Sequence, residues 1–149
     1  MAALSAAVAR TSRYDACMEQ RPSQPVAAAA PRLVDVTALE RAVADFARER
    51  DWEPFHSPKN LAMALTGEVG ELVELFQWLS EEASREVGHD PATARQVRDE
   101  LADVLIYLVR LAAVLEVDLD EAVRTKLSAN ALKYPAERAR GKATKYSGL

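Results

Sequence analysis

Four helix-start signals punctuate residues 37–121, and they confine the chain to an all-α fold. Thr37 with Glu40 three residues on is a capping-box pattern, predicting a helix to about Arg50 with Leu39, Val43 and Phe46 facing inward. Ser57-Pro58 supplies an N-cap and a proline at the first helical position for a second helix to about Ala83. Asp90-Pro91 does the same for a third, to about Leu115, and Asp118 with Glu121 caps a fourth that Pro135 ends. Composition agrees, because 28 Ala against 5 Gly and 6% aromatic residues disfavour a sandwich or barrel. There is no strand pattern and no internal repeat, and 149 residues suit one domain, a small four-helix bundle.

The two ends differ from this middle. Residues 1–34 carry a net charge of +2, and Pro22, Pro25 and Pro31 bracket the run Ala27 to Ala30 without apolar periodicity, so they read as a mobile N-terminal extension. Their Ala and Arg content is also that of an organelle transit peptide, against which Asp15, Glu19 and the prolines count, so the cytoplasm is the expected location. Residues 35–135 form the expected folded domain and residues 136–149 a C-terminal tail. A single cysteine, Cys17, excludes an internal disulfide framework and a cysteine-based zinc site. A net charge of −4 and a pI of about 5.3 argue against a nucleic-acid polymer as partner, and no apolar run is long enough for a membrane span.

The chemistry lies in acidic residues at helical spacing. Glu68/Glu71 on the second helix and Glu100/Asp103 on the third are i, i+3 pairs, each on one helix face. Each pair borders an apolar stripe: Leu61, Leu65, Val69, Leu72, Phe76 and Leu79 on the second helix, and Val97, Leu101, Val104, Leu105, Leu108, Leu111 and Leu115 on the third. Each also leads to an aromatic residue, Trp78 or Tyr107. Acids facing one another beside a core repel and lose hydration unless a cation sits between them. No Lys or Arg shares these stripes, so a divalent metal is the natural partner, and all-oxygen ligands favour Mg²⁺ or Mn²⁺. Gly67 and Gly70 flank Glu68 at a cost of about 1 kcal/mol each relative to Ala, which suggests close approach to the backbone there. A di-iron site needs Glu-x-x-His on helices. The strings Glu53 to His56 and Glu86 to His89 are broken by Pro54 and Gly88 and fall in predicted loops.

Glu68-Val-Gly-Glu71-Leu-Val-Glu74 and Glu100-Leu-Ala-Asp103, with 28 residues between the pairs, resemble the signature of the MazG-like all-α nucleotide pyrophosphohydrolases. Arg50-Asp-Trp52-Glu-Pro-Phe55-His56, Leu75-Phe-Gln-Trp78, Asp103-Val-Leu-Ile-Tyr107 and Lys133-Tyr134-Pro135 are similar to its dCTP pyrophosphatase branch. The resemblance implies Mg²⁺-dependent hydrolysis of a nucleoside triphosphate, dCTP or a modified dCTP first, to the monophosphate and pyrophosphate. It assigns metal binding and catalysis to Glu68, Glu71, Glu100 and Asp103, with one carboxylate, not identified, as the base for the attacking water. It gives the nucleoside to Trp52, Glu53, Phe55, His56, Trp78 and Tyr107, and the phosphates to Asn130, Lys133 and Tyr134. It also implies a homotetramer with sites between subunits. Val43 departs from the branch, whose animal members carry a pocket histidine nine residues before the tryptophan, which loosens the expected dCTP preference. The alternatives are a broader housekeeping enzyme acting on dUTP or damaged nucleotides, and a non-catalytic helical interaction module whose acids are merely solvated.

Overall fold

A computed structural model of the chain describes residues 31–148. The helices are α1 (Thr37–Arg48), α2 (Pro58–Glu74), α3 (Glu81–Glu86), α4 (Ala94–Val114), α5 (Leu119–Lys133) and α6 (Ala136–Ala139), with 3-10 turns at Glu53–Phe55 and Tyr146–Gly148. No strand occurs among the described residues. Nor is any of these helices long and apolar enough to cross a membrane. The four long helices are the expected ones, and the differences lie at their ends.

Ser57 caps α2 as predicted, its Oγ accepting from Asn60 N at 3.3 Å, and Asp118 caps α5 by accepting from the amides of Asp120 and Glu121 at 2.8 and 3.2 Å. Thr37 does not cap α1. It is the first helical residue, and its amide and hydroxyl both donate to Asp35 Oδ1, because the carboxylate two residues upstream is the stronger acceptor. The second helix stops at Glu74 rather than near Ala83. Its last turn tightens, with Phe76 N donating to Val73 O at 3.0 Å, and Ser80 then starts α3 by accepting from Ala83 N. Asp90 closes a turn instead of capping: its carboxylate accepts from Ala92 N, its carbonyl accepts from Ala94 N, and α4 starts there.

Two left-handed residues turn the chain sharply. At Asp51 (φ 52°) the Trp52 amide bonds back to Ala47 O, and at Glu116 (φ 55°) the Val117 amide bonds back to Ala112 O, each at 2.9 Å. This six-residue closure satisfies carbonyls that the helix end would leave open.

α4 packs chiefly along α2 and next on α1. Leu61 and Val109 are the large side chains fully enclosed, with Ala47, Val87, Ala94, Val97 and Ala112 buried around them. The predicted stripe of α4 is therefore only partly core. Val97 is buried, but Leu101, Leu105, Leu108 and Leu115 are 52, 45, 41 and 51% exposed, because α1 and α2 cover other sides of the helix. On α2, Val69 is likewise exposed. α5 shares no comparable seam with any other element and buries none of its residues.

Of the expected N-terminal extension, residues 1–30 lie outside the described residues. The amides of Leu33 and Val34 donate to Asp120 Oδ1, and Arg32 pairs with Asp118 at 2.7 Å. Asp120 also holds Arg124 at 2.7 Å, and these donors bring its carboxyl down to about 2, with the Arg124 bond contributing most. Within the expected C-terminal tail, Tyr146 stands edge-on to Tyr134 at 6.0 Å.

Candidate active site

The α2–α4 seam brings both acid pairs together. Glu68, Glu71 and Glu100 each offer a carboxylate oxygen lying within 4.8 Å of the others. Glu68 and Glu100 are half-buried, Glu71 is exposed, and the Glu100 Oε2 atom is buried without a hydrogen-bond partner. Burial raises the Glu68 carboxyl above its ordinary range, and the charges of Asp103, Glu71 and Glu100 add to it. Burial likewise raises Glu100, followed by Glu71, Asp103, Asp99 and Glu74. Asp103 thus sits within the field of the group. Converging acids with an unpaired buried oxygen form a donor set that fits a hard divalent cation. Asp99 instead faces Arg95 across 3.5 Å on the surface. A Cβ built at Gly67 or Gly70 would meet nothing within 4 Å, so among the described residues nothing makes the close approach their presence suggested.

A second region adjoins the acids. The left-handed Asp51 turns Trp52 back onto α1, where its ring meets Phe46 edge-on at 5.9 Å; His56 lies 6.5 Å beyond. The loop is held by Phe55 N to Trp52 O, His56 N to Glu53 O and Asn60 Nδ2 to Phe55 O, at 2.9, 3.1 and 3.0 Å. A cavity of about 70 Å³ lies between Trp52, His56, Val43, Phe46, Ile106, Tyr107 and Arg110. A larger one of about 380 Å³ shares Val43, Phe46, Ile106 and Tyr107 with it and adds Leu39, Ala42 and Asp103. Apolar walls thus run from the Trp52 loop to the acids, and Val43 lines both cavities. A further cavity of about 270 Å³, at the corner of α4 and α5 beside Arg32, is lined by none of the predicted site residues.

Arg110 is a site residue that sequence reasoning missed. Its Nε donates to His56 Nδ1 at 3.1 Å. Its position three residues after Tyr107 and seven after Asp103 puts it on their helix face, which is the signal that could have found it. Burial and the Arg110 charge lower the His56 pKa, against an opposing pull from Glu53.

The other predicted residues line neither of the two adjoining cavities. Glu53 and Phe55 belong to the exposed 3-10 turn, and Trp78, in the turn after α2, is 87% exposed. Asn130, Lys133 and Tyr134 sit together at the end of α5, where Asn130 O accepts from Tyr134 N and Lys133 Nζ lies 5.7 Å over the Tyr146 ring.

Comparison with known proteins follows the same residues. A family model described as the MazG-like family matches residues 64–149, which include all four acids but not the Trp52–His56 loop. The chain is similar to dCTP pyrophosphatase 1 of Bos taurus, with 49% identity over 119 residues covering 80% of this chain and 69% of the relative. The Homo sapiens protein of that name is 50% identical over 119 residues, covering 80% and 68%. Among solved structures, a pyrophosphatase from Archaeoglobus fulgidus aligns with a TM-score of 0.62 at 41% identity, covering 66% of this chain and 90% of that one.

Proposed function

The chain belongs to the MazG-like family and is a nucleoside triphosphate pyrophosphohydrolase, and on that premise we propose that its substrate is dCTP or a dCTP with a modified base. The observation that carries the reading is the convergence of Glu68, Glu71 and Glu100 beside an apolar cleft whose wall includes Asp103. That membership decides against the alternative of a non-catalytic module.

In this reading Glu68, Glu71, Glu100 and Asp103 hold Mg²⁺, with Mn²⁺ as a substitute, and the unpaired Glu100 Oε2 supports it. When bound, the ion neutralises triphosphate charge and stabilises the charge building on the departing pyrophosphate. The chain's own residues bind and orient. Trp52 offers a ring face to the base, with His56 and Tyr107 beside it, and the apolar walls of Val43, Phe46 and Ile106 exclude water from the nucleoside end. A carboxylate of the cluster takes the proton of the water that attacks the α-phosphorus.

Glu53, Phe55, Trp78, Asn130, Lys133 and Tyr134 complete the site by contacts made between copies of the chain. The support is that none of these six residues lines the two adjoining cavities, while among the described residues an apolar stripe on α4 stays exposed. A tetramer is the expected assembly, and the cytoplasm, which holds the nucleotide pool, the expected compartment.

A broader substrate range is the second reading, favoured by Val43, which gives both cavities an apolar wall. Product analysis with a panel of deoxynucleoside triphosphates and Mg²⁺ tests both. Monophosphate plus pyrophosphate formed fastest from a cytosine nucleotide supports the first, and the same products formed fastest from dUTP support the second. Diphosphate plus inorganic phosphate would overturn both.

A further inference from the structure

We infer that Arg110 is a positioning residue that holds His56 as the neutral tautomer protonated on Nε2, so that His56 presents a fixed hydrogen-bond donor to an acceptor atom of the bound nucleoside. The inference rests on reading the cleft between Trp52 and Tyr107 as the nucleoside pocket.

A guanidinium is always charged and has no acceptor, so the imidazole nitrogen that meets it must supply a lone pair. Arg110 Nε approaches Nδ1 at 3.1 Å, which leaves the ring proton to Nε2. A doubly protonated ring would lose this bond and set one cation against another, so the contact selects both charge state and tautomer. The groups around His56 reinforce the selection. α4 contributes Arg110 and the Tyr107 phenol, the 3-10 turn contributes the acid Glu53, and α1 lines the cavity with the apolar Val43 and Phe46. Burial and Arg110 outweigh Glu53 and shift the ring toward its neutral form, the form the Arg110 contact requires.

A neutral ring with Nδ1 occupied has one polar atom left for a ligand, and that atom can only donate. The matching groups on a pyrimidine nucleotide are a ring carbonyl, an unprotonated ring nitrogen or a sugar oxygen; an N–H at that point would be rejected. Arg110 shapes recognition in this way through its bond to a residue 54 positions away in the chain.

The test combines ring-nitrogen NMR with steady-state kinetics on the full-length enzyme. His56 and His89 are the two histidines, so two-bond nitrogen–proton correlations assign each ring, with exposed His89 as the internal control. Wild type should show His56 protonated on Nε2 alone and neutral at mildly acidic pH. Arg110→Met should give mixed tautomers, a higher His56 pKa and a KM for dCTP raised about five- to tenfold, the scale of one lost hydrogen bond, with kcat little changed. Its KM should also worsen as pH falls toward 6, where wild type holds steady. Arg110→Lys, which keeps a cationic donor, should recover most of the tautomer and the KM. Circular dichroism verifies that each variant folds.

Protonation on Nδ1 in wild type, or unchanged tautomer or KM in folded Arg110→Met, would overturn the inference. His56→Ala separates this from failure of the underlying reading. If the tautomer behaves as stated but His56→Ala leaves KM unchanged, the nucleoside pocket lies elsewhere and both fall.

Discussion

Glu71 and Glu100 occupy opposite kinds of position in the acid group, and substitutions at the two should behave differently. Glu71 is exposed on α2, so removing its side chain takes away a carboxylate oxygen and little packing. Glu71→Ala should lower turnover by about a hundredfold or more, the scale of deleting one electrostatic stabiliser, with helical content unchanged by circular dichroism. Glu100 is half-buried with an unpaired oxygen and a carboxyl pushed up by burial and by its neighbours, so its charge works against the fold when no cation is present. Glu100→Gln keeps the shape and removes the charge. Thermal melts in a chelator should show a higher melting temperature than wild type. With Mg²⁺ and a non-hydrolysable nucleotide the order should reverse, because the variant loses the gain from binding. A lower melting temperature in chelator would count against charge repulsion at this position.

Among the elements, the junction between the segment before α1 and the start of α5 depends on one carboxylate. Asp120 accepts from the amides of Leu33 and Val34 and pairs with Arg124, while its neighbour Asp118 caps the helix and pairs with Arg32. The Asp120 carboxyl titrates at about 2 against an ordinary 3.8, so the folded chain binds that proton more weakly than the unfolded chain does. Its contribution is therefore complete above pH 3.8 and is lost as pH falls through about 2. The Leu33 and Val34 amide resonances should hold their folded positions on acidification to about pH 4 and move only below it. Asp120→Asn should move them at neutral pH. Early movement in wild type, near pH 5, would show that another group controls the junction.

For the whole molecule, the decisive feature is apolar surface left exposed among the described residues. Leu101, Leu105 and Leu108 recur at helical spacing along α4 and Leu115 caps its end, each at least 41% exposed. Full burial of such a side chain contributes about 1.5–3 kcal/mol, and each of these is already about half covered. The remaining gain is about half that per leucine, and four together favour association. The proposed assembly predicts that Leu105→Glu, which sets a charge in the middle of the stripe, shifts the protein to smaller species in light scattering after size exclusion. The α-helical content of each chain should persist. If the sites are shared between copies, dCTP turnover should fall with the assembly, although Leu105 lines neither nucleoside cavity. An unchanged mass would mean that a different face joins the copies.

Features that depend on near neighbours in the chain were legible from the residues alone. The caps at Ser57 and Asp118 lie within three residues of the amides they satisfy, and the i, i+3 spacing alone sets Glu68 beside Glu71 and Glu100 beside Asp103. Thr37 misled because its hydroxyl donates to the nearby Asp35 carboxylate, while the Glu40 amide it was expected to cap donates to Val36 O. The end of α2 was illegible because no glycine or proline marks residues 75–80, and the tightened last turn and the Ser80 cap decide it. Tertiary structure alone decided that Glu100 meets the Glu68/Glu71 pair, since only the packing of α2 on α4 brings their oxygens together. It also decided that Arg110 reaches His56, and that the α4 leucines lie outside the core. A leucine bound for the core and one bound for a partner have the same hydropathy, and only the elements packed around each one tell them apart.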